Sequence, residues 1–254
     1  MNKFAEKIYN LLNLLGQYYK MVWGVILNLR RVFLDRKLIL DQMMHVGVNS
    51  LLLMSIIGIF TGAVACLQAA SQIKGLIPLT YLGSATSKAI IVELGPVLAA
   101  LVLAGRIGAS ISAEIGTMKV TEQIDALEAM AISPVRYLAA PRVFAVTLML
   151  PVLVIYASAI GIFGSYLVAT LFLDVSSPAF MNGFQQELEY HDVLTSLIKS
   201  LFFGVSISSI GVFIGFQTEG GAEGVGNTTI RSFVICAAMI LILDYILWNF
   251  LSGL

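Results

Sequence analysis

The chain has 254 residues, 58% of them hydrophobic and 12% charged, and its 15 basic and 15 acidic side chains give a net charge of zero. Soluble domains carry about a quarter charged residues, so a mean hydropathy of +0.91 excludes that class, and the neutral balance excludes a nucleic-acid-binding footprint. At ~20 apolar residues per span, the length admits five or six membrane helices.

Residues 1–45 read as an amphipathic, elbow-like region. Phe4, Ile8, Leu11, Leu12, Leu15, Tyr19, Val22 and Ile26 recur at helical spacing, with Lys3, Lys7, Asn10, Asn13, Gln17 and Lys20 on the polar side. That pattern suits a helix lying in the membrane interface, with Trp23 and the tyrosines at headgroup level. A signal peptide fits less well, because Asn13, Gly16 and Gln17 interrupt the apolar part and no A-x-A site follows. A basic cluster of Arg30, Arg31, Arg36 and Lys37 precedes the first span.

Residues 46–254 read as a transmembrane domain. The first span covers about Val46–Ala70 and contains Gly58-x-x-x-Gly62, a spacing that lets helix backbones approach closely. The second takes Ala89 to about Ala113, with Gly95-Pro96 just after Glu93 predicting a kink or a fresh start. The chain then leaves the membrane at Lys119 and forms a short acidic helix from Thr121, its expected N-cap, to about Ala131. It breaks at Pro134 and re-enters past Pro141. The third span is about Val143–Leu173, followed by a segment with Asp174, Glu187, Glu189 and Asp192 and no lysine or arginine. The fourth is about Val193–Phe216, with Gly211-x-x-x-Gly215. A glycine-rich loop, Gln217–Ile230, leads to the fifth, Arg231–Leu251. The expected fold is therefore an all-α integral membrane protein, an N-terminal interfacial helix plus five transmembrane helices.

With the N-terminus inside, 12 of the 15 basic residues fall in cytoplasmic segments or the adjoining helix ends, and Lys74, Lys88 and Lys199 fall outside. This positive-inside bias predicts a cytoplasmic N-terminus, an external C-terminus, and the acidic helix within reach of a cytoplasmic partner.

Within that frame, chemistry-bearing residues are few. Gly221-AEGV-Gly226-Asn227-Thr228 has the glycine spacing of a phosphate-binding P-loop. Asn227 stands where the lysine belongs, and a membrane helix precedes it where a strand is required. No nucleotide site is expected there. Cys66 and Cys236 lie in apolar runs as small hydrophobes, and His45 and His191 stand singly, so neither a disulfide nor a metal set is expected. The acidic helix carries Ile124, Leu127 and Ala131 on one face and Glu122, Asp125 and Ala129 on another. Helices that rest on lipid usually bear Lys and Arg. Glu122, Asp125 and Glu128 beside Met130 suit docking to a protein better. Glu93, Arg106, Glu114, Lys199 and Asp244 are ionisable at membrane depth, where such residues face a bundle interior, a cavity or the interface. Arg106 and Glu114 are ~12 Å apart along one helix, too far for a direct pair. For Asp244, a hydrogen bond to another helix and a proton relay both remain open.

The stretches ELGPVLAAL (93–101), AGRIGASISAEIG (104–116) and VTEQIDALEAM (120–130) resemble the signature of MlaE/YrbE-type permeases, the membrane subunits of ABC transporters that move phospholipid with MCE-domain proteins. The resemblance runs from about Val46 to the C-terminus, and includes the 221–229 glycine pattern as a cytoplasmic connection. It implies a bacterial inner-membrane homodimer that binds an ABC ATPase subunit and an MCE-domain lipid-binding protein. The permease itself would not be an enzyme. It would bind no cofactor, ATP and Mg belonging to the partner ATPase. The resemblance also implies a cytoplasmic coupling helix between the second and third spans, with Glu122, Gln123, Ile124, Asp125, Leu127, Glu128 and Met130 meeting the ATPase. Its lipid cavity would be lined by Leu67, Leu94 and Val97, with Gln68 and Glu93 nearer a headgroup. Some relatives place arginine before the glutamate, where this chain has Val92, which argues against a charge-pair headgroup clamp. The beginning of the chain so close to the interfacial helix, with no transit peptide, favours a bacterial membrane over a plastid envelope. Two readings from other classes stand beside this one. One is an ion- or proton-coupled carrier using Asp244, Glu93 and Arg106, which should show inverted repeats; the other is a scaffold that only anchors an ATPase.

Overall fold

The computed structural model describes residues 3–32, 36–73 and 78–251, apart from the side chains of 3–5, 7, 8, 10, 11, 29–32, 80 and 187. The expectations for the side chains of Lys3, Phe4, Lys7, Ile8, Asn10, Leu11, Arg30, Arg31, Lys74 and Glu187 lie outside the described residues.

Every regular element among the described residues is helical. They are α1 (Lys3–Val32), α2 (Arg36–Gly47), α3 (Leu51–Ile73), α4 (Leu82–Ala89), α5 (Gly95–Leu103), α6 (Ala109–Val120), α7 (Gln123–Ala129), α8 (Ala140–Phe172), α9 (Ser177–Glu187), α10 (Tyr190–Phe216) and α11 (Gly221–Leu251). Short turns fuse several of these into continuous rods. Five rods are long and apolar enough to cross a membrane: Arg36–Ile73, Leu82–Val120, Val135–Phe172, Tyr190–Phe216 and Gly221–Leu251. At ~1.5 Å per residue, even the 27 residues of Tyr190–Phe216 exceed the ~30 Å hydrocarbon core.

Two compact units emerge from the packing. The first comprises residues 1–43, 105–146 and 205–236. Here α1 turns Met21 and Val25 inward, while Leu12, Leu15, Tyr19, Trp23 and Ile26 stay exposed. Leu12, Leu15, Tyr19 and Ile26 of the predicted apolar stripe therefore face away from the protein, and Met21 and Val25 dock the helix. Tyr18 meets Phe213 of α10 edge-on at 5.3 Å and shares a 2.7 Å hydrogen bond with Ser209. Burial pushes its phenol above the usual range, so the hydroxyl stays neutral. Gly211 and Gly215 let α10 lie against the backbone of Gly108 and the Ile115 and Ser112 region of α6, the close approach that their spacing predicts.

The second unit comprises residues 44–104, 147–204 and 237–254. Helices α3 and α8 touch backbone to backbone. A Cβ on Gly58 would stand 2.7 Å from the Ala157 carbonyl, and one on Gly62 would collide with Gly161 itself. Beside this seam, Cys66, Ala70, Leu82, Ala169, Val175 and Phe180 form a buried cluster. Phe180 anchors α9 there, edge-on to Tyr166 at 5.7 Å.

Several boundaries differ from those read in the sequence. The acidic segment after the third span is not a plain loop, because Phe180 folds α9 onto the apolar cluster. The glycine-rich connection 217–230 is mostly helix. Gly220 and Gly221, at φ +86° and +66°, make the turn that glycine alone adopts easily, and α11 starts at once. Thr228 then donates to the Gly224 carbonyl at 2.9 Å and accepts from the Thr218 hydroxyl at 3.1 Å, a helical back-bond in place of a loop. Thr121 does not cap the acidic helix. Its hydroxyl donates back to the Thr117 carbonyl at 2.8 Å, closing α6 instead. Left-handed Glu122 (φ 61°) and Ala131 (φ 57°) bracket α7 and shorten it to seven residues. The disturbance expected at Gly95-Pro96 takes the form of a π turn over Ile90–Leu94. A proline nitrogen cannot donate to the carbonyl four residues back, and a one-residue bulge is a standard accommodation.

Candidate functional site

Sequence places three charges of mixed sign inside three apolar rods, and lipid gives them no water to lean on. The second unit resolves this by bringing them together. Lys199 of α10 is wholly buried. Its Nζ lies 2.6 Å from Glu93 Oε2 and 2.8 Å from Asp244 Oδ1 of α11. Trp248, one turn on from Asp244, puts its ring centroid 5.2 Å from the same ammonium, a cation–π contact. The π turn carries Glu93, whose side chain is 44% exposed against 15% for Asp244. Lysine therefore forms the closed end of the cluster, and glutamate its open end.

That open end faces a cavity of about 950 Å³. Lys88, Val92 and Glu93 line it from the second rod, Glu189, Asp192 and Thr195 from around the start of α10, and Leu241, Asp244 and Trp248 from α11. Lys88 Nζ approaches Asp192 Oδ2 at 3.6 Å. Asp192 also accepts from the Glu189 backbone at 3.3 Å, and His191 Nε2 meets the Leu251 carbonyl at 3.2 Å. The volume is at the upper end of the ~300–1,000 Å³ that ligand pockets occupy, and the lining mixes apolar walls with fixed charges. No group of three metal-ligating side chains occurs among the described residues. The chemistry on offer is reversible binding of a charged, partly apolar molecule.

The predicted cavity residues divide between two places. Glu93 faces the large cavity. Gln68 and Leu94 line a separate groove of about 350 Å³ with Phe60, Val64 and Leu98. Leu67 is exposed and Val97 half-buried, and neither lines either space. Reading the sequence missed Lys88, Asp192 and Trp248, and did not join Lys199 to Glu93 and Asp244. The available signal was one lysine and two acids in separate rods, which lipid forces to pair.

The first unit holds the exit and return around α7. Ile124 is buried, Leu127 is half-buried, and Glu122, Gln123, Asp125, Glu128 and Met130 are exposed. Asp125 already accepts from Lys119 at 2.8 Å, so Glu122, Glu128 and Met130 form the uncommitted part of this surface. Glu114 pairs across the hairpin. Its Oε2 accepts from Arg142 of α8 at 3.2 Å, and Arg142 also donates to the Leu138 carbonyl at 3.0 Å. This ties the helix that leaves to the helix that returns.

Comparison with known proteins gives a consistent result. A family model described as "Permease MlaE" matches residues 39–250. A Haemophilus influenzae protein named "Intermembrane phospholipid transport system permease protein MlaE" is 34% identical over 254 residues, covering 100% of this chain and 97% of its own. A Rickettsia typhi protein named "Probable ABC transporter permease protein" is 39% identical over 214 residues, 84% of this chain and 83% of its own. One of the same description from Synechocystis is 37% identical over 230 residues, 90% and 88% of the two chains.

Proposed function

Because the chain belongs to the MlaE permease family, we propose that it is the membrane subunit of an ABC-type intermembrane transporter, and that it translocates or hands off phospholipid with ATP hydrolysed by a partner. The observation that carries this is α7: an acidic, outward-facing helix between two membrane rods, braced by Glu114–Arg142 behind and Lys119–Asp125 beside it. Such a lever suits docking to a soluble motor. Glu122, Gln123, Asp125, Glu128 and Met130 meet the ATPase, with Ile124 and Leu127 seating the helix. ATP and Mg belong to that partner.

In this reading the subunit sits in a bacterial inner membrane with its N-terminus cytoplasmic and its C-terminus periplasmic, which puts α7 on the side of the nucleotide. It acts as a homodimer and meets an MCE-domain lipid-binding protein outside. The cavity at Glu93 takes the headgroup, and the groove at Gln68 and Leu94 offers apolar surface to acyl chains. Movement of α7 is coupled to a change in the cavity.

Co-purification in mild detergent from the native membrane tests the assignment, with wild type beside Glu122→Lys/Asp125→Lys and mass spectrometry of bound protein and lipid. Wild type should bring down an ATPase and phospholipid, and the double variant should lose only the ATPase. A wild type that emerges with neither sinks the reading. The cluster at Lys199 supports a second reading, a proton-coupled carrier. Deleting residues 121–131 abolishes transport by an ABC permease and leaves such a carrier partly active.

A further inference from the structure

The wall of the large cavity carries a charge balance that sorts headgroups. We propose that it selects phospholipids whose headgroup bears an ammonium, the zwitterionic amine class, over those whose only charge is the phosphate; this rests on the reading of the cavity as a lipid site. Four carboxylates line it: Glu93, Glu189, Asp192 and Asp244. Against them stand Lys88 on the wall and Lys199, wholly buried behind it. Four acids and two lysines leave two negative charges.

A phosphodiester carrying no other charge finds Lys88 as its attractive partner and is repelled by the remainder. An ammonium a few bonds from that phosphate reverses the second part. It meets carboxylates that a single lysine divides between two, together with an aromatic surface, since Tyr245 is 71% and Trp248 46% exposed. This wall already holds a cation against an aromatic ring, in the Lys199–Trp248 contact at 5.2 Å. The geometry is therefore that of a site for a phosphate at Lys88 and an amine towards Glu93 and Trp248, with Val92 and Leu241 offering apolar wall beyond. Specificity of this kind comes as much from repelling the wrong charge as from attracting the right one.

The full-length protein, reconstituted into vesicles of equal phosphatidylethanolamine and phosphatidylglycerol with identical acyl chains, is re-extracted, washed, and its retained lipid weighed by mass spectrometry. The amine lipid should be enriched roughly fivefold over the vesicle ratio, the scale expected when one nearby charge changes sign at a partly exposed site. Glu189→Gln, an exposed position whose change does not threaten folding, should move the retained ratio towards that of the vesicle. Equal retention, or enrichment of phosphatidylglycerol, overturns the proposal and leaves lipid carriage standing. An enrichment that Glu189→Gln and Asp192→Asn both leave untouched overturns wall charge as its cause. Retention of no lipid overturns the lipid reading itself, and this proposal with it.

Discussion

Lys199 and Lys119 each meet an aspartate at 2.8 Å, and the two contacts have almost nothing else in common. Lys199 is 0% exposed and is shared between two carboxylates and an indole. Lys119 and Asp125 are 36% and 55% exposed and keep most of their water. Equal distances therefore carry unequal weight. In the second unit the ion cluster is a condition for three helices to coexist, whereas in the first it only steadies a surface helix.

The sharpest way to break this contrast is Lys199→Met. It leaves Glu93 and Asp244 facing one another without their cation, and removing one partner of a buried pair costs about 3–5 kcal/mol. Thermal unfolding in detergent should register it as a large loss. Neutralising all three together, as Lys199→Met/Glu93→Gln/Asp244→Asn, should recover much of that stability. Failure to recover would mean that the cluster packs the site rather than balances charge.

A smaller effect is expected from Gly62→Val in the α3–α8 seam. Overpacking there costs about 1–3 kcal/mol, and the branched side chain has the backbone of Gly161 in its way. The unfolding midpoint should fall, and the same change at exposed Gly16, where nothing lies nearby, should leave it unmoved. Arg142→Gln comes next. Glu114 is 41% exposed, so losing this one contact should cost ~1 kcal/mol. It should also loosen the α6–α8 hairpin, seen as faster hydrogen exchange across α7. Least of all, Lys119→Ala should change stability by less than ~1 kcal/mol, and high salt should erase the difference. A large, salt-resistant effect at Lys119 would erase the distinction drawn between the two units.

The parts legible in the sequence were those set by periodicity and composition. Five apolar runs gave five rods, and Gly58-x-x-x-Gly62 announced a backbone contact that the Ala157–Gly161 stretch supplies. The parts that were not legible depend on long-range pairing. Glu93 and Lys199 are 106 residues apart, and nothing local to either indicates the other. Chemistry that sequence patterns left ambiguous was decided by competition between neighbours. Thr121 could cap the following helix or close the preceding one, and the Thr117 carbonyl was the acceptor in reach. The glycines after residue 217 looked like a loop, but the turn needed only the two at positive φ.

The lysine cluster also bears on how the protein is made. Glu93, Lys199 and Asp244 belong to the second, fourth and fifth rods, and a ribosome delivers them in that order. Each ionised residue entering a bilayer on its own helix carries a penalty of ~3 kcal/mol on insertion scales. The second rod must be held with its glutamate exposed until the fourth arrives, and the fourth brings a lysine whose second partner is still being synthesised. The cluster is therefore complete only when the fifth rod has packed against the other two, and until then the membrane holds an incompletely neutralised charge.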